Sequence, residues 1–476
     1  MQDQSEINAH FIDADELRAF FSECLTKARA EACPKIASIS MPFNYLAPLA
    51  VLQSLARANQ LHFYSERPVE DSAVLAMGAV RHARFSGAER FENVRAFTER
   101  CLQEIMPYSS SQRNNFDRPH FFTAFTFEDE LMAEGEFAPA TVFLPEWHLF
   151  SDSGYYGLVL NIEVSEGTSV DQLYAHFEKT YQHFLSFDYV EDKPSVNEPV
   201  TPVDLVEEEG THRLSFERSV AAALEEIEAK HYQKIVLAQK RVFKNISGLK
   251  GIDCLDRLRE QFSTCHTFSF SDGSDKQFIG ASPEILVEVN SGKLLTQAIA
   301  GSSSRGRKAL EDARLGSSLL SSDKNLREHN LVKESIVRRL SQLGIQARAD
   351  TKPRLLALSN VQHLKTMIRG AMNPGVHFLE VVSELFPTPA VGGQPREQAV
   401  PRIRSLEGFD RGLYAGLLGW FNDQSEGRMI VGIRSAQFDR SKIEICAGAG
   451  IVSGSQLEIE KGEIELKQNA MLSLLR

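Results

Sequence analysis

The chain has 476 residues, 52 of them Lys or Arg and 64 Asp or Glu, for a formal charge of −12. Hydrophobic residues at 42 % and charged residues at 24 % are globular values, which excludes collagen-like, fibrous and disordered classes. The negative balance argues against nucleic acid and against an anionic membrane surface as partners, and length alone suggests roughly three domains.

At the start of the chain, the run MQDQSEINAHFIDADEL has neither a basic region nor an apolar one, so no secretory signal is expected. The longest uncharged apolar stretch, 412–421, is far shorter than the roughly 18 residues of a membrane-spanning helix. Six cysteines (Cys24, Cys33, Cys101, Cys254, Cys265, Cys446) form no CxxC pair, which points to reduced thiols in the cytoplasm. The sequon at 245–247 is then a chance match.

Residues 1–212 carry soft patterns and few special residues. Within them, 188–209 holds three prolines, eight acids and one lysine, which reads as a solvated loop. From 213 to 476 the signals are dense. A helix is expected over 214–232, with Phe216, Val220, Leu224 and Ile227 on one stripe. Strands follow over 234–243, 277–289, 293–300, 429–437 and 442–449. Long helices are expected over 307–343, broken midway, and over 457–475. Strands succeeding strands between flanking helices indicate antiparallel sheets in an α+β arrangement.

Two glycine-rich strings fail as phosphate sites. Gly301-Ser-Ser-Ser-Arg-Gly306 is followed by Arg307 and Lys308, where a phosphate loop needs Lys and Ser/Thr. Gly448-Ala-Gly450-Ile-Val-Ser453 lacks the third glycine of a dinucleotide fingerprint and reads as a turn after a strand.

The informative anomalies are acids on apolar stripes. Glu328 shares a helical face with Leu331, Val332, Ile336, Leu340 and Leu343. Glu463 shares one with Ile459, Leu466, Ala470 and Leu474, with Glu460 and Lys467 one turn to either side. A buried carboxylate must be paired, protonated or metal-bound, because unpaired burial costs several kcal/mol. The alternatives are an acid frayed into water and an ordinary Glu463–Lys467 surface pair. Two such acids on different helices suit an oxygen-ligand site for Mg²⁺ better than one for zinc. On the strands, Lys234 shares a face with Val236 and Ala238, and Glu284 follows Pro283. If desolvated they could act as base and acid; if they lie at strand ends in water they are ordinary.

The segments QKIVLAQK (233–240), FIGASPEILV (278–287), LTQAIAGSSSRG (295–306) and LLSSDKNLREHNLV (319–332) occur in one order. They continue with VQHLKT (361–366), FPTPAVGGQPRE (386–397), FDRGLYAGLLGW (409–420), GIRSA (432–436) and AGAGIVSGS (447–455). From about Arg213 to Leu475 the chain thereby resembles the chorismate-utilising enzymes: isochorismate, salicylate, anthranilate and aminodeoxychorismate synthases. The resemblance implies one large α+β domain over 1–476, two antiparallel β-sheets packed between helices around a central active site, with 1–212 a variable part and 213–476 the catalytic region. It implies Mg²⁺ on Glu328 and Glu463 with Glu460 nearby, the ring carboxylate of chorismate on the metal, Lys234 as the base activating water and Glu284 as the acid protonating the departing 4-hydroxyl. Arg434, the backbone of Gly448 and Tyr414 would hold the enolpyruvyl carboxylate. Gly301, His363 and Lys467 match further substrate positions.

Within this family, members that use ammonia carry Gln where Lys234 stands, since ammonia needs no base whereas water does. Lys234 therefore points to a water-adding enzyme with no glutaminase subunit. Salicylate synthases tend to have Thr at the position of Ala390, so alanine looks like the isochorismate-releasing type. The reading is an isochorismate synthase, isomerising chorismate as a monomer or weak dimer in menaquinone or siderophore biosynthesis. The rivals are a salicylate synthase and an inactive family member that only binds chorismate; the intact set Lys234, Glu284, Glu328, Glu463 and Arg434 argues against the latter.

Overall fold

The computed structural model describes residues 12–43, 45–55, 60–109, 114–132, 136–187, 206–208, 212–246 and 248–475, with the side chains of the helix that begins at His212 described from Phe216 onward. Apart from 206–208, the acidic stretch 188–209 falls outside these residues, as does Ser247 of the sequon.

Two large sheets dominate, in a single α+β domain. Among the described residues one has 13 strands and the other 10. Strands from both ends of the chain share them. Leu61–Arg67 pairs with His266–Asp272 in the larger sheet, and His120–Phe125 pairs with Leu417–Asn422 in the smaller. The N-terminal third is therefore built into the same sheets as the motif-bearing part. Pairing is antiparallel throughout the described ladders except for Lys35–Pro42 beside Ile105–Ser109, which run parallel across an intervening set of strands and helices. Between the sheets lies an aromatic layer of Phe63, Phe122, Phe143, Phe150, Phe268 and Phe270, all fully buried. At about 4.5–7 Å ring spacing such rings gain edge and offset-stacking energy beyond their area; Phe63 and Phe122 are 5.3 Å apart.

Two expected strands are each split between the sheets. The run over 277–289 becomes Gln277–Ser282 in the larger sheet and Ile285–Asn290 in the smaller. Pro283 breaks the ladder, since it has no N–H to donate, and Glu284 is left at the crossing. The run over 429–437 divides likewise into Gly427–Val431 and Ser435–Phe438, with Arg434 at its crossing. The two crossings are stitched together: Val431 N–H donates to Glu284 C=O at 3.0 Å, and Ala281 N–H donates to Arg434 C=O at 3.0 Å. Arg434 has φ of +51°, a left-handed conformation that costs a non-glycine residue about 1 kcal/mol or more and is usually retained at functional positions.

The helix break expected within 307–343 falls at Ser322, between Ala309–Ser321 and Asp323–Gln342; the Ser322 hydroxyl caps the second helix by accepting from Asn325 N–H. Val332, Ile336 and Leu340 are buried on the expected stripe. The last helix, Leu457–Leu472, keeps its expected stripe in part: Ala470 and, just beyond the helix, Leu474 are buried, but Ile459 is 58 % exposed, and Glu460, Ile464, Gln468 and Met471 face inward as well. Gly448 and Gly450 form no turn, because Lys442–Val452 runs straight through them.

Candidate active site

A cavity of about 100 Å³ lies where the crossings meet the strand Lys234–Lys244, the strand Lys442–Val452 and the helices carrying Glu328 and Glu463. Lys234, Glu284, Gly301, Glu328, His363, Ala390, Tyr414, Arg434, Gly448, Glu463 and Lys467 all line it. Glu460 does not. It is buried one turn before Glu463, and its carboxylate takes a 3.0 Å hydrogen bond from Lys324 Nζ.

Lys234 opens an apolar strand and its side chain is 1 % exposed, so the reading of it as a solvated strand end does not hold. Its Nζ lies 2.8 Å from Glu328 Oε1. Glu284 is equally enclosed. Burial pushes its carboxyl up from 4.5 to about 7, against the opposing pull of Lys234, the Thr388 hydroxyl and Lys467. Glu463 behaves in the opposite way. Burial alone would raise it, but Lys467 at 2.7 Å, together with the Ser302 hydroxyl, holds it below the usual carboxylate range. Lys467 Nζ also donates to Gly448 C=O at 2.8 Å, which fixes the strand at the glycine.

Glycine is favoured in the Lys442–Val452 strand by close approach of side-chain ends. A Cβ on Gly450 would fall 2.7 Å from Glu328 Oε1, and one on Gly448 would fall 3.1 Å from Tyr414 Oη. Close packing, and not the turn expected from the sequence, accounts for this glycine-rich string.

Arg434 is almost wholly buried. Its Nη2 donates to His363 Nε2 at 3.0 Å, and His363 Nδ1 lies 3.0 Å from Ser302 Oγ. A guanidinium can only donate, so Nε2 is the acceptor and the imidazole proton is on Nδ1. Burial, Arg434 and Lys467 push His363 down to about 3, which keeps it neutral. Nη1 of Arg434 is buried without a hydrogen-bond partner. The Tyr414 hydroxyl is held neutral, its ionisation pushed well above the ordinary range by burial.

Of the three carboxyl groups that line the cavity, Glu284, Glu328 and Glu463, the last two are held in ion pairs by Lys234 and Lys467 and are the anionic oxygen donors for a cation. Among the described residues no group of three or more His, Cys, Asp or Glu side chains forms a closed metal cage. Two carboxylates beside a cavity with room for substrate oxygens are a donor set that suits Mg²⁺, which binds through one or two carboxylates plus substrate and water. The residues fit the ion.

Ser302 and Arg411 also line the cavity. Neither stands out in the sequence; the available signal for Arg411 is its i,i+4 spacing from Glu407 at the end of an otherwise polar helix.

A family model described as chorismate binding enzyme matches residues 21–476, and the chain belongs to that family. Curated relatives that it resembles over nearly its full length are isochorismate synthases, which are isomerases. The salicylate biosynthesis isochorismate synthase of Pseudomonas aeruginosa is 29 % identical over 469 residues, spanning 96 % of this chain and 94 % of that one. Isochorismate synthase MenF of Bacillus subtilis is 27 % identical over 460 residues, spanning 95 % and 96 %. Among solved structures, the menaquinone-specific isochorismate synthase MenF of Escherichia coli shares the fold with a TM-score of 0.74 at 24 % identity, over 96 % of this chain and 99 % of that one. Anthranilate synthase component I of Streptococcus pneumoniae shares it with a TM-score of 0.68 at 19 % identity, over 84 % and 92 %.

Proposed function

We propose that the chain is a Mg²⁺-dependent isochorismate synthase. It adds the oxygen of water to C2 of chorismate, shifts a ring double bond and expels the C4 hydroxyl, which leaves as water once protonated. The observation that carries this reading is one cavity holding a buried Lys234, a Glu284 poised to ionise near neutrality and an Arg434 donor with no partner.

Lys234 acts as the neutral amine left once the proton it shares with Glu328 is given up: it receives a proton from the attacking water, and Glu284 delivers one to the departing hydroxyl. An acid half-protonated near pH 7 is matched to that task. Arg434 takes the enolpyruvyl carboxylate through its free Nη1, in the orientation that the His363 bond imposes. Tyr414, kept neutral, donates beside it. Mg²⁺ would be held by Glu328 and Glu463 and would supply charge neutralisation at the ring carboxylate. Cations at Arg434 and Lys467 thus meet a dianion inside a protein whose overall charge is −12.

No described helix is long and apolar enough to cross a membrane, and the six cysteines are unpaired, five of them buried, which suits a reducing cytoplasm. The enzyme needs no glutaminase subunit and works as a monomer or weak dimer. Incubation with chorismate and Mg²⁺, with products separated by chromatography, tests the reading. Isochorismate as the product supports it. Salicylate fluorescence without an added lyase would make the chain a salicylate synthase, and unconsumed chorismate would refute turnover.

A further inference from the structure

We infer that Arg411 is a positioning residue that locks the cavity wall carrying Ala390 onto the strand that begins at Lys234. The inference deepens the proposed function and rests on it for its kinetic consequences.

The strand edge beyond Lys234 is only briefly paired. Lys234 and Ile235 face Gln394 and Gly393 in a two-residue ladder, and Val236 N–H donates to Gly392 C=O at 2.7 Å. There the direct pairing ends. The next edge groups are the carbonyl of Val236 and the N–H of Ala238, while the opposite segment offers the carbonyl of Val391. Two carbonyls cannot bond each other. Arg411 resolves the mismatch by donating from Nη1 to Val391 C=O and from Nη2 to Val236 C=O, both at 2.8 Å. Glu407 holds the fork from behind, accepting from Arg411 Nε at 2.9 Å, and its other oxygen takes the Ala238 N–H at 2.6 Å.

Arg411 and Glu407 thus stand in for the missing strand partner, with side chains 0 % and 1 % exposed. Glu407 meets only donors, as an ionised carboxylate requires. A buried ion pair is poor evidence for stability, and an apolar replacement is often at least as stable. What this pair does is geometric. Val236, Ala390, Val391 and Lys234 all line the cavity, so the clamp sets how the Ala390 wall stands relative to Lys234 Nζ. Lysine could satisfy Glu407 and one carbonyl, but it lacks the planar fork needed to span both.

The test compares wild type, R411K and the neutral double variant R411M/E407Q, in which no buried charge is left alone and the introduced amide oxygen can still accept from Ala238 N–H. Two readouts are taken on the full chain: steady-state kinetics with chorismate, and backbone hydrogen exchange at 233–238 and 391–394. We expect R411M/E407Q to lose about 100-fold in kcat through misplacement of the reacting groups. KM should stay within about 3-fold, because the substrate-holding residues are untouched. Exchange should rise at both segments, and R411K should recover part of both effects. Normal kcat in a folded variant, or unchanged exchange at the two segments, overturns the inference. If the double variant does not fold, R411K is read by the same two criteria. A wild type that makes no isochorismate would refute the proposed function alone, since exchange still tests the clamp.

Discussion

Glu284→Gln isolates the acid. The substitution keeps the size of the side chain and its hydrogen-bonding capacity but removes its charge and its proton. In the native protein burial lifts this carboxyl from 4.5 to about 7. A raised acid contributes stability that is fully present below pH 4.5 and is lost as the pH climbs through 7, where the buried group is forced to ionise. The difference corresponds to about 3 kcal/mol. At a melting entropy near 2.1 cal/mol/K per residue, 476 residues give roughly 1 kcal/mol per degree, so the shift is about 3 °C. Glu284→Gln should therefore melt about 3 °C above wild type at about pH 8, with the gap closing toward pH 4.5. Over the same window turnover should drop by at least about 100-fold, the contribution of a positioned general acid. The wild-type kcat/KM should fall as pH rises past 7, and that limb should be absent from any residual activity of the variant. Thermal melts at several pH values and a pH–rate profile are the assays. A variant that is active, or one whose stability gain does not depend on pH, would refute the argument that Glu284 is a buried acid held near neutrality.

Lys234→Gln should abolish turnover, by about 100-fold or more, while leaving Glu328 without its ion-pair partner; chorismate consumption and a melting curve read the two effects. Chelation by EDTA should stop chorismate consumption and added Mg²⁺ should restore it, whereas indifference to EDTA would count against a metal on Glu328 and Glu463. Arg434→Met should raise the KM for chorismate by roughly 10- to 100-fold, the worth of a charge-assisted hydrogen bond, with kcat less affected.

Much of the site is legible in the sequence, but for different reasons. Glu328 announces itself as a charge on an apolar helical stripe, and the stripe is real. Glu463 falls on a stripe that the structure keeps in part: Ala470 and Leu474 are buried as expected, but Ile459 points to solvent, and Glu460 and Ile464 turn inward. In a helix whose apolar residues are scattered among six charged ones, the buried face is underdetermined. Lys234 and Glu284 are visible as ionisable residues beside apolar strands, yet nothing local distinguishes a buried strand end from a wet one. The chain crossings are hidden for a related reason. Both halves of 277–289 and of 429–437 are apolar, and periodicity does not say which sheet a strand joins. The left-handed backbone of Arg434 has no sequence signal at all. Gly450 looks like a turn because a glycine packed against the Glu328 carboxylate reads no differently from one placed by a bend. The nine described strands before residue 188 carry no motif, so their place in the two sheets comes from the structure.

If Lys234 and Glu284 act as base and acid, water, and not the substrate's own hydroxyl, supplies the new oxygen at C2. Turnover of chorismate with Mg²⁺ in H₂¹⁸O, followed by mass spectrometry of the isolated product, tests this directly. Isochorismate carrying one ¹⁸O at C2 is the predicted result; isochorismate free of label would show that the hydroxyl migrates within the substrate and would contradict the roles given to Lys234 and Glu284.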